Sequence, residues 1–222
     1  MSPDTERCVT RRHGGYSRAV TSGDSELIAR SATRADLAAV TETISLAFHD
    51  DPTWSWAFPD PVRRQEQYAV FWRFVVAGAL RYPWVLMTNA CEAAAVWIPP
   101  GGTEFAEEDE ALVGPLLEDL AGERAGEVME LLARFDAAHP HDEPHYYLSL
   151  LGTHPLHAGR GIGMTLLAES LARIDRERMP AYLESSNPAN NHRYQRHGFE
   201  AIGEFYPPDS DIPVTTMWRK PR

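Results

Sequence analysis

Hydrophobic and polar positions along the chain fall into helical and strand periods by turns. Thr33-x-x-Asp36 has the spacing of a capping box, and Leu37, Val40, Ile44 and Phe48 behind it recur at helical intervals, which predicts a helix with one buried stripe. Leu27 to Arg30 reads as a short strand before it. His49 to Pro61 carries Pro52, Pro59 and Pro61 and is expected to be a loop, with Trp54, Trp56 and Phe58 as an unusual aromatic load. A second helix is expected over Pro61 to Leu80. Two strands follow, Trp84 to Thr88 and Ala93 to Ile98, joined by a turn at Asn89 to Glu92 and ended by Pro99-Pro100-Gly101-Gly102.

From Glu104 to Glu143 the pattern becomes acidic and helical. Leu112, Leu116 and Leu120, then Val128, Leu131, Leu132 and Phe135, predict two inserted helices. Tyr146 to Thr153 is a nearly continuous apolar strand, and beyond a glycine turn Met164, Leu167, Leu171 and Ile174 share one helical face until Pro180. Ala181 to Ser185 is a further strand, Asn190 to His197 a short helix closed by Gly198, and Ala201 to Tyr206 and Val214 to Arg219 a final strand pair. Strands alternating with helices and closing on two strands predict a mixed α/β sheet with helices on both faces. The expected organisation is a disordered tail over residues 1–26 and one domain over 27–222, with 104–143 as a helical acidic insertion.

Composition narrows the function classes. The net charge of -11 disfavours nonspecific contact with nucleic acid or an anionic membrane and mildly favours cationic partners such as protonated amines. Arg73 interrupts the apolar run Ala69 to Leu80, which is too short to span a bilayer, and the first residues lack an apolar leader core. With two cysteines, Cys8 and Cys91, neither a disulfide framework nor a metal knuckle is expected, which fits a cytoplasmic setting. His139-Pro-His141-Asp142-Glu143-Pro-His145 looks superficially like a ligand set. Without HExxH spacing or thiolates, it reads as an exposed connector, and no metal is expected.

The stretch Tyr146 to Gly163 passes from buried strand through the turn at His154 to Gly163 into an amphipathic helix. Such a junction makes an anion site, because glycines admit φ > 0 and close approach, and the first helical amides lack backbone acceptors. No Lys follows the glycines, which excludes GxxxxGK[ST], and Met164 breaks GxGxxG. What is left is Arg160-Gly161-Ile162-Gly163, which by itself is equally a tight packing turn.

The order apolar strand, Thr153-x-Pro155, Gly161-Ile162-Gly163, amphipathic helix, Leu183-Glu184-Ser185-Ser186, Asn187-Pro188-x-Asn190, Tyr194-x-x-x-Gly198-Phe199 resembles the GNAT superfamily of acyl-CoA-dependent N-acyltransferases. Within it, the likeness is to puromycin N-acetyltransferase-like proteins. The resemblance is firm from Tyr146 to Phe199. It implies a mixed, mostly antiparallel sheet flanked by helices, acetyl-CoA as cosubstrate, and a strand at Leu150 to Thr153 that splays from its neighbour to offer backbone groups to pantetheine. By the same resemblance Leu151, Thr153, Gly159, Arg160, Gly161, Ile162, Gly163 and Asn190 would hold the coenzyme, and Tyr194 would be the general acid for the departing thiolate. One departure is Ala158, with His157 before it, where the family usually carries Gln or Arg.

Each residue also has a bland reading. Tyr194 could pack its short helix, and Asn190 could serve as that helix's N-cap. Glu184 interrupts an apolar strand, where an unpartnered carboxylate is costly, so it is a base or substrate anchor or else a member of a structural pair. Trp54, Trp56 and Phe58 could wall an acceptor pocket or staple the loop to the core. The resulting expectation is an N-acetyltransferase acting by direct attack on a primary amine of a small molecule, with Tyr194 and Glu184 as its catalytic pair. No nucleic acid or membrane partner is expected, and a homodimer is left open. A non-catalytic acyl-CoA sensor, kept open by Ala158, and a protein N-acetyltransferase are the alternatives.

Overall fold

In the computed structural model, residues 29–222 are described. The tail over 1–26, Cys8 and the first residues of the strand expected at Leu27 lie outside that range. Seven strands form one sheet in the order β1-β2-β3-β4-β5-β7-β6. They are β1 (Arg30–Ser31), β2 (Val85–Met87), β3 (Ala93–Ile98), β4 (Tyr146–Thr153), β5 (Ala181–Ser185), β6 (Glu200–Phe205) and β7 (Val214–Arg219). Every pairing is antiparallel except β4 with β5. This is the mixed, mostly antiparallel sheet flanked by helices that the sequence pattern and the family resemblance together predicted.

Helices cover both faces because the strands bury both. One face packs against α1 (Leu37–Ala47), α2 (Pro52–Ala57), α3 (Arg64–Ala79), α5 (Val113–Ala121) and α6 (Ala125–Ala138), around Ile44, Trp72, Val96 and Leu131. The opposite face packs against α7 (Ile162–Arg176), through Ile162, Leu166, Leu167, Leu171 and Ile174 meeting Trp97, Leu148 and Leu183. Arg219 pins α7 to β7 by a two-pronged ion pair to Asp175, 2.7 Å at each nitrogen. The capping box at Thr33 and Asp36 forms as expected and opens a 3-10 turn that runs into α1.

Two local expectations fail. The segment expected as a loop contains α2, because the Asp51 carboxylate accepts from the amides of Thr53 and Trp54 while Pro52 occupies the first turn, where no N–H is needed. Three α-helices, not two, lie between Glu104 and Glu143, the additional one being α4 (Glu107–Glu110). The short α8 (Asn191–Arg196) is followed by Gly198 at φ 92, as its sequence signal indicated.

Candidate functional site

The site is a consequence of how β4 parts from β5. Their parallel pairing covers only Tyr146 to Leu148 against Ala181 to Leu183, after which β5 stays with β7 and β4 stays with β3 out to Thr153. The divergence begins at a bulge. Trp97 faces Leu148 and Val96 faces Leu150, so Ser149 is the extra residue. A bulge sharpens the local twist and resets alternation, which turns both Ser149 and Leu150 toward the α1 and α3 face. Beyond it the β5-facing edge of β4, including Leu151, is free to pair with an extended ligand.

At the end of β4 the chain enters the glycine turn. Gly159 and Gly161 both have φ 77 with open space around the position of a Cβ. Gly163 is needed for another reason, since a Cβ there would collide with Thr153 Oγ1. The amide of Ala158 is bonded to Pro155 and that of Thr165 to Gly161. Between them, the amides of Gly159, Arg160, Gly161, Ile162, Gly163 and Met164 have no protein acceptor among the described residues. Consecutive free amides at the start of a 15-residue helix make a nest for phosphate oxygens. The Arg160 guanidinium lies 3.1 Å from His157 Nδ1 at its exposed rim, whereas Ile162 is turned into the core. Thr153 thus supports the turn, and Leu151 and Asn190 line the neighbouring cavity.

That cavity, of about 840 Å³, runs from the β4/β5 opening to the aromatic core under α2 and α3. Tyr194 and Asn190 stand near one end. Burial, reinforced by the anion of Asp51, pushes the Tyr194 phenol up to about 12, which keeps its proton in place at neutral pH. Asn190 makes no capping bond, so its side chain is not spent on α8; Asn187 caps the preceding turn instead, accepting from Ala189.

Glu184 projects from β5 toward the same cavity. Its side chain is 2% exposed, its Oε1 has no hydrogen-bond partner, and its nearest cation-forming neighbour is His139 Nδ1 at 3.7 Å. Burial pushes the phenols of Tyr147 and Tyr182 upward, with Glu104 and Glu184 adding to the shift at Tyr147 and Glu184 at Tyr182. Two carboxylates from other segments share the cavity wall. Glu104 accepts from Ser149 Oγ, and burial with a repulsive contribution from Glu184 raises it to about 7 although the cavity reaches it. Gly78 makes this possible, since a Cβ there would strike the Glu104 carbonyl. Asp51 accepts from Ser186 Oγ at 2.7 Å, and burial raises it to about 6.

Of the three aromatics singled out in the sequence, only Trp54 lines the cavity, between Phe71, Trp72 and Phe135. Trp56 lies beneath the Arg124 guanidinium at 4.6 Å, and Phe58 is fully buried against Tyr68 and Phe71; neither reaches the cavity wall. The helical turn of α2 is the reason, because it directs successive aromatics to different sides. The sequence reading of His139 to His145 as an exposed connector also needs correction. His145 is buried, and both His139 and His145 line the cavity. Glu104 and Asp51 were missed, the first at the head of an acidic run that reads as solvated surface; the signal for Asp51 was its place directly before Pro52. No cluster of three or more His, Cys, Asp or Glu suited to a metal is found among the described residues, nor a helix long and apolar enough to cross a membrane.

The fold is shared with known proteins. A Corynebacterium glutamicum structure described as histone acetyltransferase HPA2 and related acetyltransferase is 25% identical, covering 87% of this chain and 96% of its own, with a TM-score of 0.64. Drosophila melanogaster polyamine N-acetyltransferase shares the fold at 14% identity, with coverage of 87% and 99% and a TM-score of 0.61. So does a mosquito arylalkylamine N-acetyltransferase-like protein at 14% identity, with coverage of 87% and 99% and a TM-score of 0.58. Residues 53–199, spanning α2, the splayed strands, the glycine turn and α8, match the model of the acetyltransferase (GNAT) family. With that span the chain belongs to the GNAT family of acetyltransferases.

Proposed function

We propose that this enzyme transfers an acetyl group from acetyl-CoA to the primary amine of a small cationic molecule by direct attack. The observation that carries the reading is the charge of the cavity: among the described residues eight carboxylate side chains line it and no Lys or Arg does, while the Glu184 Oε1 inside it is unpartnered. A buried carboxylate without a donor is costly, and an ammonium group supplies the missing donor. The fruit-fly neighbour is named a polyamine N-acetyltransferase and the mosquito one arylalkylamine N-acetyltransferase-like, and both kinds of amine join a cation to an apolar body. An acceptor with a ring, in line with the likeness to puromycin N-acetyltransferase-like proteins, would lie along Trp54, Phe71 and Phe135, where rings and cations are both favoured.

In this reading the free amides from Gly159 to Met164 hold the pyrophosphate, the open edge of β4 at Leu151 and the side chain of Asn190 hold pantetheine, and Arg160 adds charge at the rim. Glu184 takes a proton from the ammonium group. The neutral amine attacks the thioester carbonyl and the C–N bond forms; as the C–S bond breaks Tyr194 protonates the thiolate, and the proton that the amide nitrogen sheds returns to the Tyr194 phenolate. Residues 27–222 act as one cytoplasmic acyltransferase domain, to which the 104–143 insertion lends Glu104 and His139. A panel of amines assayed for acetyl-CoA-dependent thiol release tests the proposal. Cationic diamines and arylalkylamines should turn over, and amines bearing a carboxylate should not. Tight CoA binding by calorimetry with no turnover of any amine would instead establish a sensor.

A further inference from the structure

We propose that His139 is the proton acceptor behind Glu184, held in the one tautomer that can serve it by His145. This rests on Glu184 being the base. His145 Nδ1 lies 2.7 Å from the Glu143 carbonyl, which can only accept, so Nδ1 carries the proton and His145 Nε2 presents a lone pair. His139 Nε2 lies 3.0 Å from that lone pair and must donate to it. A neutral His139 with its proton on Nε2 has a bare Nδ1, and this is the atom 3.7 Å from Glu184 Oε1.

The chain of donors therefore ends on an unfilled acceptor aimed at the carboxylate that receives the substrate proton. Burial lowers the His145 pKa, which keeps that ring neutral and the chain in this direction. His139 itself follows the last residue of α6, whose terminal carbonyls favour a cation. At 24% side-chain exposure it also reaches water, unlike Glu184. The groups facing it are Glu184 of β5, Glu104 of the insertion, His145, the rings of Tyr147 and Tyr182 at 4.8 and 4.9 Å, and His141 at 5.7 Å. Two of these are carboxylates and none is Lys or Arg, so an imidazolium formed here is balanced.

Each turnover converts an ammonium and a thioester into an amide, a thiol and one proton. The proton shed by nitrogen as the C–N bond forms offsets the one that Tyr194 gives the thiolate. The ammonium proton is the net product, and it passes from Glu184 Oε1 to His139 Nδ1 and then to solvent.

Nitrogen-15 histidine spectra of the ligand-free protein test the tautomer without any turnover. His139 should show a protonated Nε2 and a bare Nδ1 at neutral pH. A proton on His139 Nδ1 overturns the proposal. In kinetics, His139→Gln should lower kcat by about a hundredfold, at the low end of acid–base contributions, and change the acid limb of the pH profile. Added imidazole should restore part of the rate to His139→Ala. An inactive Glu184→Gln beside a His139→Gln with wild-type kcat and pH profile overturns the relay and leaves the base in place. Full activity in Glu184→Gln overturns both.

Discussion

At the glycine turn the groups that face a ligand are main-chain amides from six consecutive residues, Gly159 to Met164. At the other end of the cleft they are side chains brought from Asp51, Glu104, His139 and Glu184, on four separate segments. In the proposed reading the first end would bind anions through backbone geometry, which Ala158 leaves in place. The second would bind cations through charges that are buried against their own solvation, a burial that costs stability.

The contrast can be broken in several places. Tyr194→Phe, where the two ends meet, should cause the largest loss, about 10² to 10⁴ in kcat, with acetyl-CoA affinity kept; steady-state kinetics beside CoA calorimetry would show it. A variant that loses CoA binding as well would place Tyr194 in the coenzyme site instead. Next comes Gly163→Ala, whose methyl collides with Thr153 Oγ1. It should destabilise the fold by about 1–3 kcal/mol in urea melts and weaken CoA binding, and an unchanged affinity would mean the turn is not the phosphate site.

Glu104→Gln probes the acidic end through pH. A carboxyl raised from 4.5 to about 7 by folding binds its proton more tightly in the native state, so its contribution to stability is favourable at low pH and is lost as pH rises through that interval. The variant should therefore gain melting temperature relative to wild type at pH 8 more than at pH 5. A constant difference across that range would show Glu104 to be hydrated. The smallest effect is expected from Arg160→Ala at the exposed rim, about twofold to fivefold in KM for acetyl-CoA, because an exposed charge contributes little beside the backbone nest.

The same contrast explains what could be read in advance. The extents of β3, β4, β5 and β7 follow from apolar runs bounded by Gly, Pro and polar turns, and the face of α7 follows from its period. The glycine turn was legible because its parts are adjacent in the chain. By contrast, α2 was hidden by its prolines, since the loop signal of Pro52 and Pro59 outweighed the cap at Asp51. Phe58 and Trp56 looked equivalent to Trp54 until the helix set their directions. Glu104 sits at the head of a run of acids, and only its bond to Ser149, exposed by a bulge, distinguishes it from solvated neighbours. His139 and His145 gave no catalytic signal, because their meaning lies in a 3.0 Å contact with each other and a 3.7 Å approach to a strand some forty residues away.

By itself, then, the sequence determined most of the order of elements, the two-sided burial of the sheet and the glycine turn between β4 and α7, all of which depend on local period and backbone freedom. Tertiary structure alone decided where β4 leaves β5, which aromatic reaches the cavity, and which of many carboxylates are buried there. The reason is physical: a charge acquires chemistry from the water it has lost and the neighbours it has gained, and neither is a property of residues next to it in the chain.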